Sequence, residues 1–156
     1  MGELSRPDVI KLIANNSGKG INLRGVDLSG VSLDRLSLIE ANLSRAILSN
    51  ATLCQADLTK ANLEETILEY SDLSEATLQF ANLRKAKMAG SDLRTVDLRD
   101  SDLREADLRG SNLRGADLTR ANLWHIDLRE ANLLYANIEG AKNVPVEVEE
   151  WLKNKT

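Results

Sequence analysis

Residues 41–60 read Ala41-Asn42-Leu43-Ser44-Arg45, Ala46-Ile47-Leu48-Ser49-Asn50, Ala51-Thr52-Leu53-Cys54-Gln55, Ala56-Asp57-Leu58-Thr59-Lys60. Each block of five opens with a small residue and carries Leu in third place. Working outward, Leu recurs every fifth position from Leu23 to Leu83, yields once to Met88, resumes at Leu93 and runs to Leu133, and Ile138 closes the series. That makes 24 centres with no insertion. Two residues before the centre stands Ala (Ala61, Ala76, Ala81, Ala86) or Ser (Ser71, Ser91, Ser101, Ser111), and the position between prefers Asp, Asn, Ser or Thr. A period of five fits neither the 3.6 of a helix nor the 2 of a strand. It fits a chain that bends by the same amount every five residues, keeping every Leu on one axis. The two remaining positions fall at the bend, where Gly25, Gly30, Gly90, Gly110, Gly115 and Gly140 tolerate turn dihedrals.

A second period sets the number of bends per coil. Asn recurs at 22, 42, 62, 82 and 122 with Asp102 between, and Ile47/Ile67, Arg84/Arg104, Arg94/Arg114 and Arg109/Arg129 are each 20 apart. Four fives per coil predict a square cross-section and six coils, a rod about 29 Å long at ~4.8 Å per coil. A narrow lumen accommodates Leu layers with Ala or Ser at the walls.

Residues 21–142 resemble the pentapeptide-repeat family. The resemblance implies an all-β fold, a right-handed quadrilateral β-helix with the centre and the small residue pointing in. It also implies a gyrase-binding DNA mimic as an alternative function, since some family members imitate the width and charge of duplex DNA. A cyanobacterial source is a further implication.

The flanks break the period and suggest covers, which solenoids need at their ends. Residues 1–20 form the N-terminal one: Ser5-Arg6-Pro7-Asp8 reads as a capping box, followed by Val9, Ile10, Leu12 and Ile13 on one helical face and stopped by Asn15-Asn16-Ser17-Gly18. Residues 143–156 form the other, a short helix started by Pro145 and carrying Val146, Val148, Trp151 and Leu152. It is expected to cover Trp124, Leu134 and Tyr135 on the last coil or, failing that, to offer this end to a second copy as a weak dimer contact.

Composition narrows the function. The 156 residues hold 20 Lys+Arg, 24 Asp+Glu, one His, one Cys and five aromatics. One Cys excludes an internal disulfide and any cluster of Cys ligands. A net charge of −4 argues against direct binding of nucleic acid. Charged residues interrupt every apolar stretch, so neither a membrane span nor a secretory leader is expected, and the cytoplasm is the expected compartment. His125 and Cys54 are three and a half coils apart, too far for a nucleophile pair. The stacked Asp pairs 72/92, 97/117 and 107/127 lie near Arg residues two places on, which predicts a solvated charge lattice; Arg94, Arg99, Arg104 and Arg109 form a ring of one per face, each beside Asp92, Asp97, Asp102 or Asp107. Residues 1–78 hold 7 basic and 11 acidic side chains and residues 79–156 hold 13 of each, so no continuous anionic stripe supports DNA mimicry. No catalytic residue, cofactor or metal ligand emerges.

The expected function is therefore a non-enzymatic interaction or scaffold module working through outward columns. One column, Asn22 to Asn122, reads as an amide ladder along the axis. The next reads Asp27, Ile47, Ile67, Lys87, Asp107, Asp127, and there Ile47, Ile67, Tyr70 and Lys87 form the candidate patch for a protein partner of unknown identity.

Overall fold

The computed structural model describes residues 6–15 and 19–153. Its core is a stack of six coils, residues 21–40 through 121–140. Parallel bridges join each residue before a centre to the residue 20 positions on, from Asn22↔Asn42 without a gap to Asn122↔Lys142. We number the faces by their centres: face 1 carries Leu23 and every twentieth residue after it, face 2 Leu28, face 3 Leu33 and face 4 Leu38. Each face contributes a lone bridging residue rather than a strand, because two of every five residues are spent on the corner.

The backbone accounts for its polar groups in a repeating way. On face 2, Leu48 N–H donates to Ile67 O at 2.7 Å in the next coil and Asn50 N–H to Glu69 O at 3.0 Å, while Ile47 N–H donates back to Val26 O at 2.9 Å. Ala51 N–H donates to Leu48 O at 3.0 Å and closes the turn. The second corner residue sits in the left-handed region at every repeat, with φ between 53° and 70° from Gly25 to Gly140, and most of these residues are not glycine. That conformation costs about 1 kcal/mol per residue, and the coil-to-coil bonds on either side hold it in place.

One N–H per repeat has no backbone partner, that of the first corner residue. The residue before the centre supplies one. Asn42 Oδ1 accepts from Ser44 N–H at 3.1 Å, Asp57 Oδ1 from Thr59 N–H at 3.0 Å and Asp102 Oδ1 from Arg104 N–H at 3.2 Å. These are Asx turns, and they explain the Asp/Asn preference. They also correct the amide ladder. Along the axis only Asn82 Nδ2 donates to Asn62 Oδ1, at 3.2 Å, and Asn143 Nδ2 to Asn122 Oδ1, at 2.9 Å. Throughout the column the side-chain oxygen serves its own turn.

The lumen is filled by the centres, fully buried from Leu23 to Leu113, with Ala at the walls. Where Ser replaces Ala its hydroxyl is satisfied: Ser71 Oγ donates to Leu68 O at 2.6 Å and Ser111 Oγ to Leu108 O at 2.7 Å. Two helices flank the stack, α1 (Arg6–Asn15) and α2 (Val146–Lys153). From α1, Val9 is buried and Leu12 packs against the core, whereas Ile10 is 41% exposed and does not share their face. Ser5 of the expected capping box lies outside the described residues, as do Asn16 to Gly18.

Candidate functional site

The expected patch on face 2 assembles in part. Ile47 bridges Ile67 and Ile67 bridges Lys87, so the three are stacked on successive coils. The two Ile side chains are half-buried rather than exposed, because neighbouring coils flank them; Lys87 is exposed. Tyr70, at the corner between faces 2 and 3, is 69% exposed. Its ring leans along the axis over Gly90, where a Cβ would come within 2.6 Å of Tyr70 Cε1. A side chain at position 90 would have to push the ring aside.

Sequence reasoning missed the main feature of this column. Ile47, Ile67 and Lys87 cannot form Asx turns, so the N–H groups of Ser49, Glu69 and Ala89 have no partner among the described residues. Three uncapped donors lie on successive coils at the rim of the patch. The replacement of Asp/Asn by Ile and Lys was visible in the sequence, but its consequence was not, since the capping role of the Asx position was unknown.

The charge lattice forms as expected. Arg94, Arg99 and Arg109 each place Nη2 2.6 Å from the carboxylate two residues earlier, and Arg104 does likewise with Asp102. The guanidinium beside each of Asp92, Asp102 and Asp107 holds that carboxyl below its ordinary value. Other pairs link coils: Arg45 Nε to Glu65 at 2.8 Å and Arg120 Nη2 to Asp100 at 2.6 Å. A pH dependence follows. Because the folded-state pKa lies below the unfolded one near 3.8, these pairs stabilise the fold above that value, and the contribution is lost as pH falls through the folded pKa. Urea unfolding of the wild type is expected to change little between about pH 7 and 5 and to weaken below about pH 4. Arg104→Gln should be less stable at neutral pH and lose less on acidification; parallel acid limbs would rule the pairs out as the cause.

His125 and Cys54 stand at opposite corners, three and a half coils apart along the axis. His125 is an exposed corner residue with its ring edge-on to Trp124 at 4.0 Å between centroids. Cys54 is half-buried rather than solvent-facing, 3.5 Å from the Ser74 hydroxyl, which donates to it. Among the described residues no group of three or more His, Cys, Asp or Glu is placed to hold a metal ion.

At the C-terminal end the expected cover is partly corrected. Val148 is buried and Trp151 packs on the core, in a cavity shared with Leu128, Ala131 and Leu133, so α2 closes the open end of the lumen. It does not cover Trp124 or Tyr135, which remain 45% and 74% exposed. Corner side chains point radially outward, whereas the unsatisfied apolar surface is the axial layer. Trp124 also sits at the corner between faces 1 and 2, opposite Leu134 and Tyr135 between faces 3 and 4, so the three form no single patch. Leu134 is half-buried and Val146 65% exposed; the side chain of Leu152 lies outside the described residues.

The family model for pentapeptide repeats matches with 8 copies, the matched residues running from 21 to 142. The chain belongs to the pentapeptide-repeat family. Several solved pentapeptide-repeat structures are similar to this member. Rfr23 from the cyanobacterium Cyanothece 51142 is 28% identical over 83% of this chain and 90% of its own, with a TM-score of 0.40. HetL from Nostoc sp. strain PCC 7120, involved in regulation of heterocyst differentiation, is 22% identical over 90% and 93%, with a TM-score of 0.32. QnrB1, a plasmid-mediated fluoroquinolone resistance protein, is 19% identical over 88% and 85%, with a TM-score of 0.37. Superpositions this loose add nothing to the family membership. No curated protein matches this pentapeptide-repeat chain. None of its described helices is long and apolar enough to cross a membrane.

Proposed function

We propose that this chain is a non-enzymatic protein-interaction module of the cytoplasm, a right-handed β-helix that docks a protein partner on face 2 through Ile47, Ile67, Tyr70 and Lys87. The observation that carries the reading is the run of three omitted Asx turns. Asp27, Asp107 and Asp127 cap their own corners in this column, whereas the three coils between leave the N–H groups of Ser49, Glu69 and Ala89 open beside two half-exposed Ile side chains. A missing cap costs roughly 0.5–2 kcal/mol, and open donors next to apolar surface are groups that a partner's acceptors can satisfy. Ion pairing within repeats neutralises Arg94, Arg99, Arg104, Arg109 and Arg129 with the Asp two residues before each, which favours a scaffold over a reaction site. The same pairing leaves little continuous anionic surface for a gyrase-binding DNA mimic.

The test is affinity capture from the source organism's extract with wild type and an Ile47→Asn/Ile67→Asn double variant. The new Asn residues restore the caps, so the variant is expected to be about 1 kcal/mol more stable and to lose the partner. A partner retained equally by both baits would remove face 2 as the docking surface. Gyrase subunits among the captured proteins would put the DNA-mimic reading first.

A further inference from the structure

The corner between faces 3 and 4 changes in bulk along the axis. Its second residue runs Arg35, Gln55, Glu75, Thr95, Gly115, Tyr135. The first three are joined in a chain along the axis: Arg35 Nε donates to Gln55 Oε1 at 3.0 Å, and Gln55 Nε2 to Glu75 Oε2 at 2.8 Å. The column then loses its bulk at Thr95 and Gly115 and regains it at Tyr135. At Gly115, φ is 70° and a Cβ would lie 3.3 Å from Thr95 Cγ2, so the floor is kept low by a residue that has both backbone and steric reasons to be glycine. The result is an open notch of about 440 Å³ with Glu75 at one end and Tyr135 at the other, and with Arg94 and Arg114 along its side.

The two arginines are unlike. Arg94 belongs to an Asp-Leu-Arg unit: its Nε and Nη2 bond the carboxylate of Asp92, at 2.8 and 2.6 Å, leaving Nη1. Arg114 follows Asn112 instead. Asn112 Oδ1 still accepts the Arg114 N–H, at 3.2 Å, so the turn is intact, but a neutral amide supplies no counter-charge. The Arg114 guanidinium rests on the Tyr135 ring, 5.4 Å from its centroid, with no other partner among the described residues. Thus a planar cation is oriented by an aromatic face, with its hydrogen-bond donors unused, beside a cleft that the column has emptied. Unneutralised and positioned guanidinium groups recognise oxyanions, which they meet with paired N–H donors.

We propose that this notch is an oxyanion-binding site, in which Arg114 holds a carboxylate or phosphate group with Arg94 Nη1 as second donor and Tyr135 as the wall. The group arrives either as an acidic side chain on a partner's loop or as a small free anion. The site is separate from face 2 and does not depend on what docks there.

The test observes arginine Nε–Hε resonances of the full chain during titration with inorganic phosphate and with the blocked peptide Ac-Ala-Glu-Glu-Ala-NH2, at ionic strength matched with chloride. Saturable shifts are expected at Arg114 and at the Tyr135 ring. Tighter binding of the peptide assigns the anion to a protein partner and tighter binding of phosphate to a small molecule. Arg114→Gln should abolish saturation. Asn112→Asp is the sharper variant, because it keeps Arg114 but supplies the counter-ion that the neighbouring units have. It should weaken binding about tenfold, as expected for one charge-assisted hydrogen bond, with the circular dichroism unchanged. Shifts that never saturate, that are equal at Arg109 and Arg129, or that Asn112→Asp leaves unaltered would overturn the proposal.

Discussion

Leu68→Ala lowers the stability of the rod by about 2–5 kcal/mol. Leu68 is fully buried in the middle of the stack, with Leu48 and Met88 in the same column on either side. Its own N–H is bonded to Lys87 O at 2.6 Å, and the carbonyl of Leu68 accepts from Ser71 N–H and Oγ. The walls around it are fixed by hydrogen bonds on all four faces, so they cannot close over the space that the side chain leaves. The loss therefore includes a cavity contribution as well as the transfer of three carbons. Because each coil touches only its neighbours, the defect is local, yet it weakens both interfaces of coil 3. Urea unfolding at neutral pH measures it, with Glu69→Ala as the surface control expected within about 0.5 kcal/mol of wild type. A Leu68→Ala loss below about 1 kcal/mol would mean that the lumen relaxes, and the rigid-wall account would fail.

Deleting the whole coil 61–80 leaves a folded rod, whereas deleting Glu75 alone does not. In the longer deletion Lys60 is followed by Ala81-Asn82-Leu83, so the repeat runs on unbroken. Asn42 then meets Asn82 in place of Asn62, Leu43 N–H finds the carbonyl of Asn82, and every downstream column keeps its face. Removing one residue leaves a side of four. The centres after it then fall out of step with the coil beneath, and inward and outward positions exchange. Circular dichroism and the cooperativity of urea unfolding separate the cases: the shorter rod should unfold in one transition with unchanged signal per residue, and the Glu75 deletion should lose the transition. Cooperative unfolding of the single-residue deletion would show that a corner can absorb a missing residue.

The two deletions depend on what a reader of the sequence could already see. The spacing of Leu, the recurrence of Asn22 to Asn122 and the Arg beside each Asp give the lumen, the four-sided coil and the charge lattice, because a solenoid turns sequence distance directly into position. Columns are arithmetic: Ile47 must stand next to Ile67 once the coil is 20 residues long.

Other features depend on bonding within a single repeat. The oxygen of Asn62 accepts both from the amide of Asn82 one coil away and from the N–H of Glu64 in its own corner. The second bond is not legible in the spelling of the repeat, because it answers a first-corner N–H that the folded backbone leaves without a backbone acceptor. For the same reason the open donors at Ser49, Glu69 and Ala89 were hidden.

At the ends the period stops and position is no longer a matter of counting. The sequence by itself determined the core, the number of coils, the pairing of the charges and the column in which Ile47 and Ile67 lie. Only the tertiary structure decided that α2 covers the axial layer rather than Trp124 and Tyr135, that Arg114 rests on Tyr135 instead of on a carboxylate, and that Thr95 and Gly115 open a notch beside it. Those outcomes depend on which apolar surface is left bare and on how side chains of unequal size stack along a corner, and neither quantity is periodic.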